Sequence, residues 1–414
     1  MKYGVLADDD ISVIFGERPS YMSDHGRRLR ERSINRVILL CAFGLLIPWI
    51  GSSLWCQTPE QSNATSQQTF SQLMAQGSQA LQKQDNIAAE HAFREALALD
   101  PKSVPVLNNL AISLARQQRE TEAISFYERA LRLKPGDSVT RRNLGVAYFR
   151  ARQYGPALPL LESSAREAPS FQVLEVTGLD AFALDRYDVA AHYLEAAHRA
   201  QPNDLETLDM LGKAYLRTNN YAGIRDVFGQ IMAINPNSAA AHAMMGMAYD
   251  KLYREEDAIR EFEAAGAADP TYPGIHTGLG VIYWRNHNFD AAEREFRQEL
   301  SRYPQDPIAN CTLGRILRRR DQLSEAVSYL KAALAVNPSY RDALVELAEC
   351  WIRLDQPVSA IETLRKAIAL APDDAEAHFI LGTALNKSGN PSEGAKERAI
   401  CAQLRAKQKG QGTR

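Results

Sequence analysis

Basic side chains recur along this chain at a fixed interval: Arg116, Arg150, Arg217, Lys251, Arg285, Arg319, Arg353 and Lys387. A column of cations is suited to holding anions, and guanidinium groups do so bidentately. The segment GRILRRRD puts Arg315, Arg318 and Arg319 on one helical face, three and four residues apart. Trp284 and Arg285 lie one interval earlier and Arg353 one interval later. Clustered like charges cost stability unless an anion is near. The cluster therefore predicts a carboxylate or phosphate site, partly neutralised by Glu349. A plainer reading of the column is that each cation closes the carbonyl end of its own helix, worth about 0.3–1 kcal/mol.

Other chemistry is missing. There is no GxxxxGK[ST], HExxH or GxSxG, and no GxGxxG between a strand and a helix. The chain is expected not to be an enzyme. Eight histidines invite a metal reading. His242 and His276, however, hold the same slot in successive intervals with no acidic residue at ligand spacing, so no metal and no cofactor are expected. Cys41, Cys56, Cys311, Cys350 and Cys401 form no CxxC. A formal net charge of −2 excludes a general nucleic-acid binder, which carries a basic excess.

The interval itself is a repeat. Prolines fall at 101, 135, 169, 202, 236, 270, 304, 338 and 372, with gaps of 34 residues except one of 33. Glycine or alanine stands 24 residues before each proline: Gly77, Ala111, Gly145, Gly178, Gly212, Gly246, Gly280, Gly314 and Ala348. Gly382 holds the slot in the last interval, which lacks the proline. A second small slot lies 12 before the proline and holds alanine except at Ile224. In residues 239–272, His242, Met245, Gly246 and Tyr249 share one helical face, and Ala258, Phe262 and Ala265 share another. Pro270 ends the second helix because it has no N–H to donate. Each interval thus predicts two antiparallel helices, drawn together at small residues, with Tyr249 and Phe262 filling between them.

This unit resembles the tetratricopeptide repeat, W-x2-L-G-x2-Y, A-x3-F, P over 34 residues. Ten units are expected, at 70–103, 104–137, 138–170, 171–204, 205–238, 239–272, 273–306, 307–340, 341–374 and 375–408. The large aromatic of the first helix is mostly leucine here. Arg141, His242, His276, Asn310 and His378 are odder replacements that predict looser packing. The resemblance implies an all-α fold, a right-handed superhelical solenoid over 70–408 with a tail at 409–414. It implies a concave groove, lined by first helices, that binds protein or peptide ligands. Carried over by position, the groove includes Asn109, Asn143, Phe149, Arg150, Phe182, Arg217, Lys251, Trp284, Arg285, Arg315, Arg318, Arg319 and Arg353, and Cys311 lies on the same face. The cationic column makes acidic partners the expectation. Cys350 and Cys401 fall on small core slots. The family's chaperone-binding clamp is incomplete: Asn109 and Asn143 fit single positions without the accompanying lysines.

Upstream, VILLCAFGLLIPWIGSSLW, residues 37–55, is uncharged and apolar. As a helix it would span about 28 Å, close to a bilayer core. Residues 27–36 carry five arginines and one glutamate, and no Lys or Arg follows until Lys83. By the positive-inside rule, 1–36 is cytoplasmic, 37–55 a transmembrane helix and the rest lies across the membrane, periplasmic if the cell is bacterial. A cleaved export signal with a site near Ser53 is the alternative. Residues 56–69 read as a flexible tether. The functional expectation is a membrane-anchored protein-interaction scaffold, in envelope assembly, secretion or polysaccharide export by analogy. An import-receptor-like protein facing the cytosol and a regulatory subunit of an enzyme complex are the alternatives.

Overall fold

The computed structural model describes residues 59–411, and among them there are twenty α-helices and no strand. The segments 1–36 and 37–55, expected as a cytoplasmic tail and a membrane helix, lie outside the described residues. No described helix is long and apolar enough to cross a membrane. The expected tether is different where it is described: from Pro59 it belongs to the first helix. Its run of Gln, Ser and Ala carries no glycine, and no proline follows Pro59, so nothing interrupts the first turns. At the other end the last helix runs to Gln411, into the expected tail.

The described residues form two compact units that divide between Gln201 and Pro202. The first holds α1 (Pro59–Gln82), α2 (Asn86–Leu99), α3 (Val104–Arg116), α4 (Glu120–Leu133), α5 (Ser138–Arg150), α6 (Tyr154–Glu167), α7 (Phe171–Ala183) and α8 (Tyr187–Ala200). The second holds α9 (Leu205–Thr218), α10 (Tyr221–Ile234), α11 (Ala239–Lys251), α12 (Glu255–Ala268), α13 (Ile275–Arg285), α14 (Phe289–Arg302), α15 (Pro307–Arg319), α16 (Leu323–Val336), α17 (Arg341–Arg353), α18 (Pro357–Leu370), α19 (Ala375–Lys387) and α20 (Pro391–Gln411). In each unit odd- and even-numbered helices pair, and odd helices also touch the next odd helix, as α5 does α7 and α15 does α17. Odd helices are therefore one layer and even helices the other.

The glycine row sets the approach of each pair. A methyl built on Gly77 would lie 2.5 Å from Phe93, and one on Gly280 2.7 Å from Phe296. Phe93, Phe262 and Phe296 are fully buried. Phe262 is held twice, against Gly246 of its own pair and Gly278 of the next first helix. The fifth pair departs from this. Ile224 fills the slot that is alanine in eight other pairs, and Val227 takes the buried position. Phe228 is left half-buried with its ring 5.6 Å from His242, and Met244 comes up against Gly212 instead.

Turns inside the pairs share one backbone solution that the residue types did not announce. Gln84, Gln118, Arg152, Asp185, Asn219, Tyr253, His287, Asp321, Asp355 and Gly389 all have positive φ. The next residue's N–H bonds back five residues, as Arg119 does to Leu114 and Gln356 to Trp351. That is the Schellman closure of a helix end, normally built on glycine. Most first helices start on Asp or Ser caps, among them Asp137, Ser170, Asp204, Ser238 and Asp374, while α17 starts on Tyr340 without a side-chain cap. In α13 Pro273 and Gly274 displace the cap. Buried Glu299 of α14 replaces it, accepting from Gly274 N at 2.8 Å and Thr277 N at 3.3 Å.

The odd replacements do not loosen the core. His242 Nδ1 lies 2.7 Å from Glu261, His276 Nδ1 2.7 Å from Glu295 and His378 Nδ1 2.6 Å from Glu397. Each links a first helix to its second, so the acidic partner sits across the pair and not at ligand spacing along the helix. Arg141 reaches Glu167 in the same way. Asn310 is buried and bonds the Pro304 and Asp306 carbonyls.

One buried group has no such support. Asp180 is fully buried on α7, and neither carboxylate oxygen has a hydrogen-bond partner. Its slot, two after the glycine row, is alanine at Ala147, Ala214, Ala248 and Ala384. Burial pushes its carboxyl up to about 7. A raised acid binds its proton more tightly folded than unfolded, so stability falls as pH rises from about 4 towards 7 and is flat above.

Two predictions follow from this packing. Gly278→Ala, which drives a methyl into Phe262, should cost about 1–3 kcal/mol in urea unfolding. Gly229→Ala, in open space on α10, should instead add about 0.5–1 kcal/mol; equal effects at the two sites would contradict the close-approach account. Asp180→Ala should stabilise by about 2–4 kcal/mol at pH 8 and by much less at pH 4. A gain that does not change with pH would show that the carboxylate is not what destabilises the site.

Candidate functional site

Expected groove residues divide into those the chain uses itself and those it leaves open. Most of the cationic column is used. Arg116 donates to the Leu81 carbonyl at 2.9 Å, Arg353 to the Arg318 carbonyl at 2.6 Å and Lys387 to the Ile352 carbonyl at 3.1 Å. Each therefore closes the carbonyl end of the preceding first helix, not of its own. Arg285 pairs with Asp250 at 2.6 Å and Glu255 at 3.1 Å, and Arg353 also with Asp321 at 2.5 Å. Arg217 is engaged within the chain as well. Arg319 lies over the Phe289 ring at 5.2 Å. Lys251 is exposed at the end of α11.

The arginine cluster carries its own counter-charge. Glu346 of α17 receives Arg315 at 2.5 Å and Arg318 at 2.7 Å, and Glu349 receives Arg318 at 2.5 Å. Arg315 also stacks over Trp284 at 5.3 Å. Glu346 is one helix away from the arginines, so sequence spacing alone showed like charges without their partner. The premise for an outside anion falls away. Arg318 and Arg315 are held firmly charged: burial opposes this, and the Glu346 carboxylate outweighs it.

Three expected groove residues lie elsewhere. Phe149 is 8% exposed and packs 5.8 Å from Tyr154. Phe182 packs edge-on at 5.2 Å to Tyr187. Both rings staple the turn between their two helices, five residues apart. Cys311 is buried at 2% exposure, and burial raises its thiol to about 11 with the Tyr340 hydroxyl beside it. Cys350 and Cys401 are buried thiols.

A pocket of the first unit lies between α3, α4, α5 and α7. Its cavity volume is about 20 Å³. Ala115, Tyr127, Val146, Ala147 and Val173 give it apolar walls, and Glu120, Arg142, Asn143, Arg150 and Gln172 give it polar ones. Arg150 approaches Glu120 at 3.5 Å. Burial raises the Glu120 carboxyl and lowers the Arg150 guanidinium, and in both it outweighs their attraction. Asn143 is half-buried beside them, and Asn109 holds the same slot one helix pair earlier. Sequence reading found Asn143 and Arg150 by register but missed Glu120, which is the first residue of a second helix.

Family comparison agrees with the repeated helix pairs. Two models, each described as tetratricopeptide repeat, match residues 317–381 and residues 74–138, 176–239 and 243–307. The chain carries tetratricopeptide repeats. A curated relative, the peroxisomal targeting signal receptor of Eremothecium gossypii, is 32% identical over 111 residues, 23% of this chain. The chain spans only 20% of that relative's length. Among solved structures, YrrB, described as a TPR protein with an unusual peptide-binding site, is 21% identical, with 44% of this chain and 94% of that one covered, at a TM-score of 0.41. A MamA structure is 22% identical, with 40% and 97% covered, at a TM-score of 0.37.

Glu346→Ala would leave Arg315 and Arg318 short of a carboxylate in a half-buried site. It should cost about 3 kcal/mol, and restoring the acid as Asp should recover only part of this. A loss within about 0.5 kcal/mol in chemical unfolding would mean that Glu349 and Asp342 suffice.

Proposed function

We propose that this tetratricopeptide-repeat chain is a protein-interaction scaffold that holds a peptide segment against the first helices of its first unit. The carrying observation is the pocket at Asn143. Its amide offers a donor and an acceptor together, which is what a peptide backbone needs. Asn109 repeats the offer one helix pair away. The relative that reads a targeting signal supports a peptide-binding use of the repeats. Partner recovery by proximity labelling from a C-terminal tag tests the reading: the Asn109→Ala, Asn143→Ala double variant should lose the partners of the wild type while keeping its helical circular dichroism. An unchanged partner set would remove this groove from consideration.

We further infer that the scaffold is tethered by residues 37–55, with its N-terminus in the cytoplasm and its repeats across the membrane. Arginines before the apolar stretch and the cation-free run after it support this. Protease added to spheroplasts should then digest the repeats. Protection until lysis would refute the orientation.

A further inference from the structure

The first-helix layer of the second unit carries an apolar island. Met247 of α11 is 41% exposed, and Val281 and Trp284 of α13 are half-buried. The two helices meet on this face, where Asp250 receives Arg285. The row that holds Met247 and Val281 is polar at its other places in the unit: Lys213, Arg315, Glu349 and Thr383. Ala240, Gly274 and Gly278, one or two turns earlier on the same face, place no long side chain over the island. A methionine thioether also adapts to the shape of what it meets.

Charge around the island is positive at one edge. The carboxylates of this layer are already committed: Asp209 takes Lys213 at 2.5 Å, Asp250 takes Arg285 at 2.6 Å, and Glu346 and Glu349 take Arg315 and Arg318. Lys251 and Arg319 are both exposed, and among the described residues neither meets a carboxylate. Arg319 lies over the Phe289 ring instead. Lys251 ends α11 and Arg319 ends α15, so they stand on one edge with α13 between them.

We propose that this layer of the second unit binds an extended peptide segment with two acidic side chains and apolar side chains between them. The apolar side chains cover Met247, Val281 and Trp284, and the carboxylates reach Lys251 and Arg319. Packed helices lie about 8–10 Å apart, so two steps separate α11 from α15 by about 16–20 Å. A strand rises about 3.3 Å per residue, which puts the acids about five or six positions apart. The pleat selects six, because side chains return to one side at every second position. The site lies wholly in the second unit and is separate from the one at Asn143. It adds to the scaffold reading a second site with its own ligand class.

The probe is the amidated heptapeptide Asp-Ser-Leu-Ser-Phe-Ser-Asp, followed by the anisotropy of a fluorescein on its N-terminus as full-length protein is added. It should bind at least about tenfold more tightly than versions with Lys for both Asp or Ser for Leu and Phe. Lys251→Glu and Arg319→Glu should each weaken it about three- to tenfold, and Met247→Ser about threefold or more. Arg294→Glu makes the same charge change at an exposed site on α14, in the other layer, and should leave binding unchanged. No binding, equal binding of the three peptides, or equal losses from Arg294→Glu and Lys251→Glu overturns the site. Arg319 also covers Phe289, so Lys251→Glu alone decides the charge requirement if Arg319→Glu loses its helical circular dichroism. The scaffold reading is judged separately by the cellular partners of the Asn109→Ala, Asn143→Ala variant, so either can fail alone.

Discussion

Close approach of two helices at a small residue is the constraint on which this structure depends. Where Gly77, Gly246 or Gly280 faces a phenylalanine, the ring replaces a side chain on the opposite helix, and the pair closes around it. A pair buries only one face of itself. The ring of Phe262, held by glycines of two successive pairs, shows how the next face is covered. Ile224 shows the reverse: one branched side chain in the small slot redirects Val227, Phe228 and Met244 around it.

Charges serve the same stacking. Guanidinium and ammonium groups reach back to the carbonyl end of the preceding first helix and to the turn beside it. The histidine–glutamate pairs cross from first helix to second at the slot where the family places a large aromatic. Polar contact thus substitutes for apolar bulk at positions where the sequence looked unsuited to packing. Against that background Asp180 differs from the rest, since neither of its carboxylate oxygens has a hydrogen-bond partner.

The proline, glycine and alanine rows made the helix pairs legible, because backbone limits and close packing act at fixed places in the repeat. The turn geometry was not legible. Residues as unlike as Tyr253, Arg152 and Asp321 take the same left-handed conformation, since the closing bond is made by backbone alone. Candidate site residues were found by register and misjudged by partner: Arg315 and Arg318 are answered by Glu346, Phe149 by Tyr154, and Cys311 by the core. A single helix face cannot show what the neighbouring helix brings to it. Glu120 opens a second helix, so the register of the first helices does not mark it.

Glu299 carries a consequence for how the chain acquires this fold. The other described first helices with a side-chain cap find it within their own first turn, so their nucleation is local. The N-terminus of α13 is completed by a carboxylate that leaves the ribosome twenty-five residues after Gly274. Until α14 docks, the first amides of α13 have only water to bind, and the costly first turn lacks its cap. The cap of the seventh pair is thus made between helices, and α13 gains it only when α14 docks.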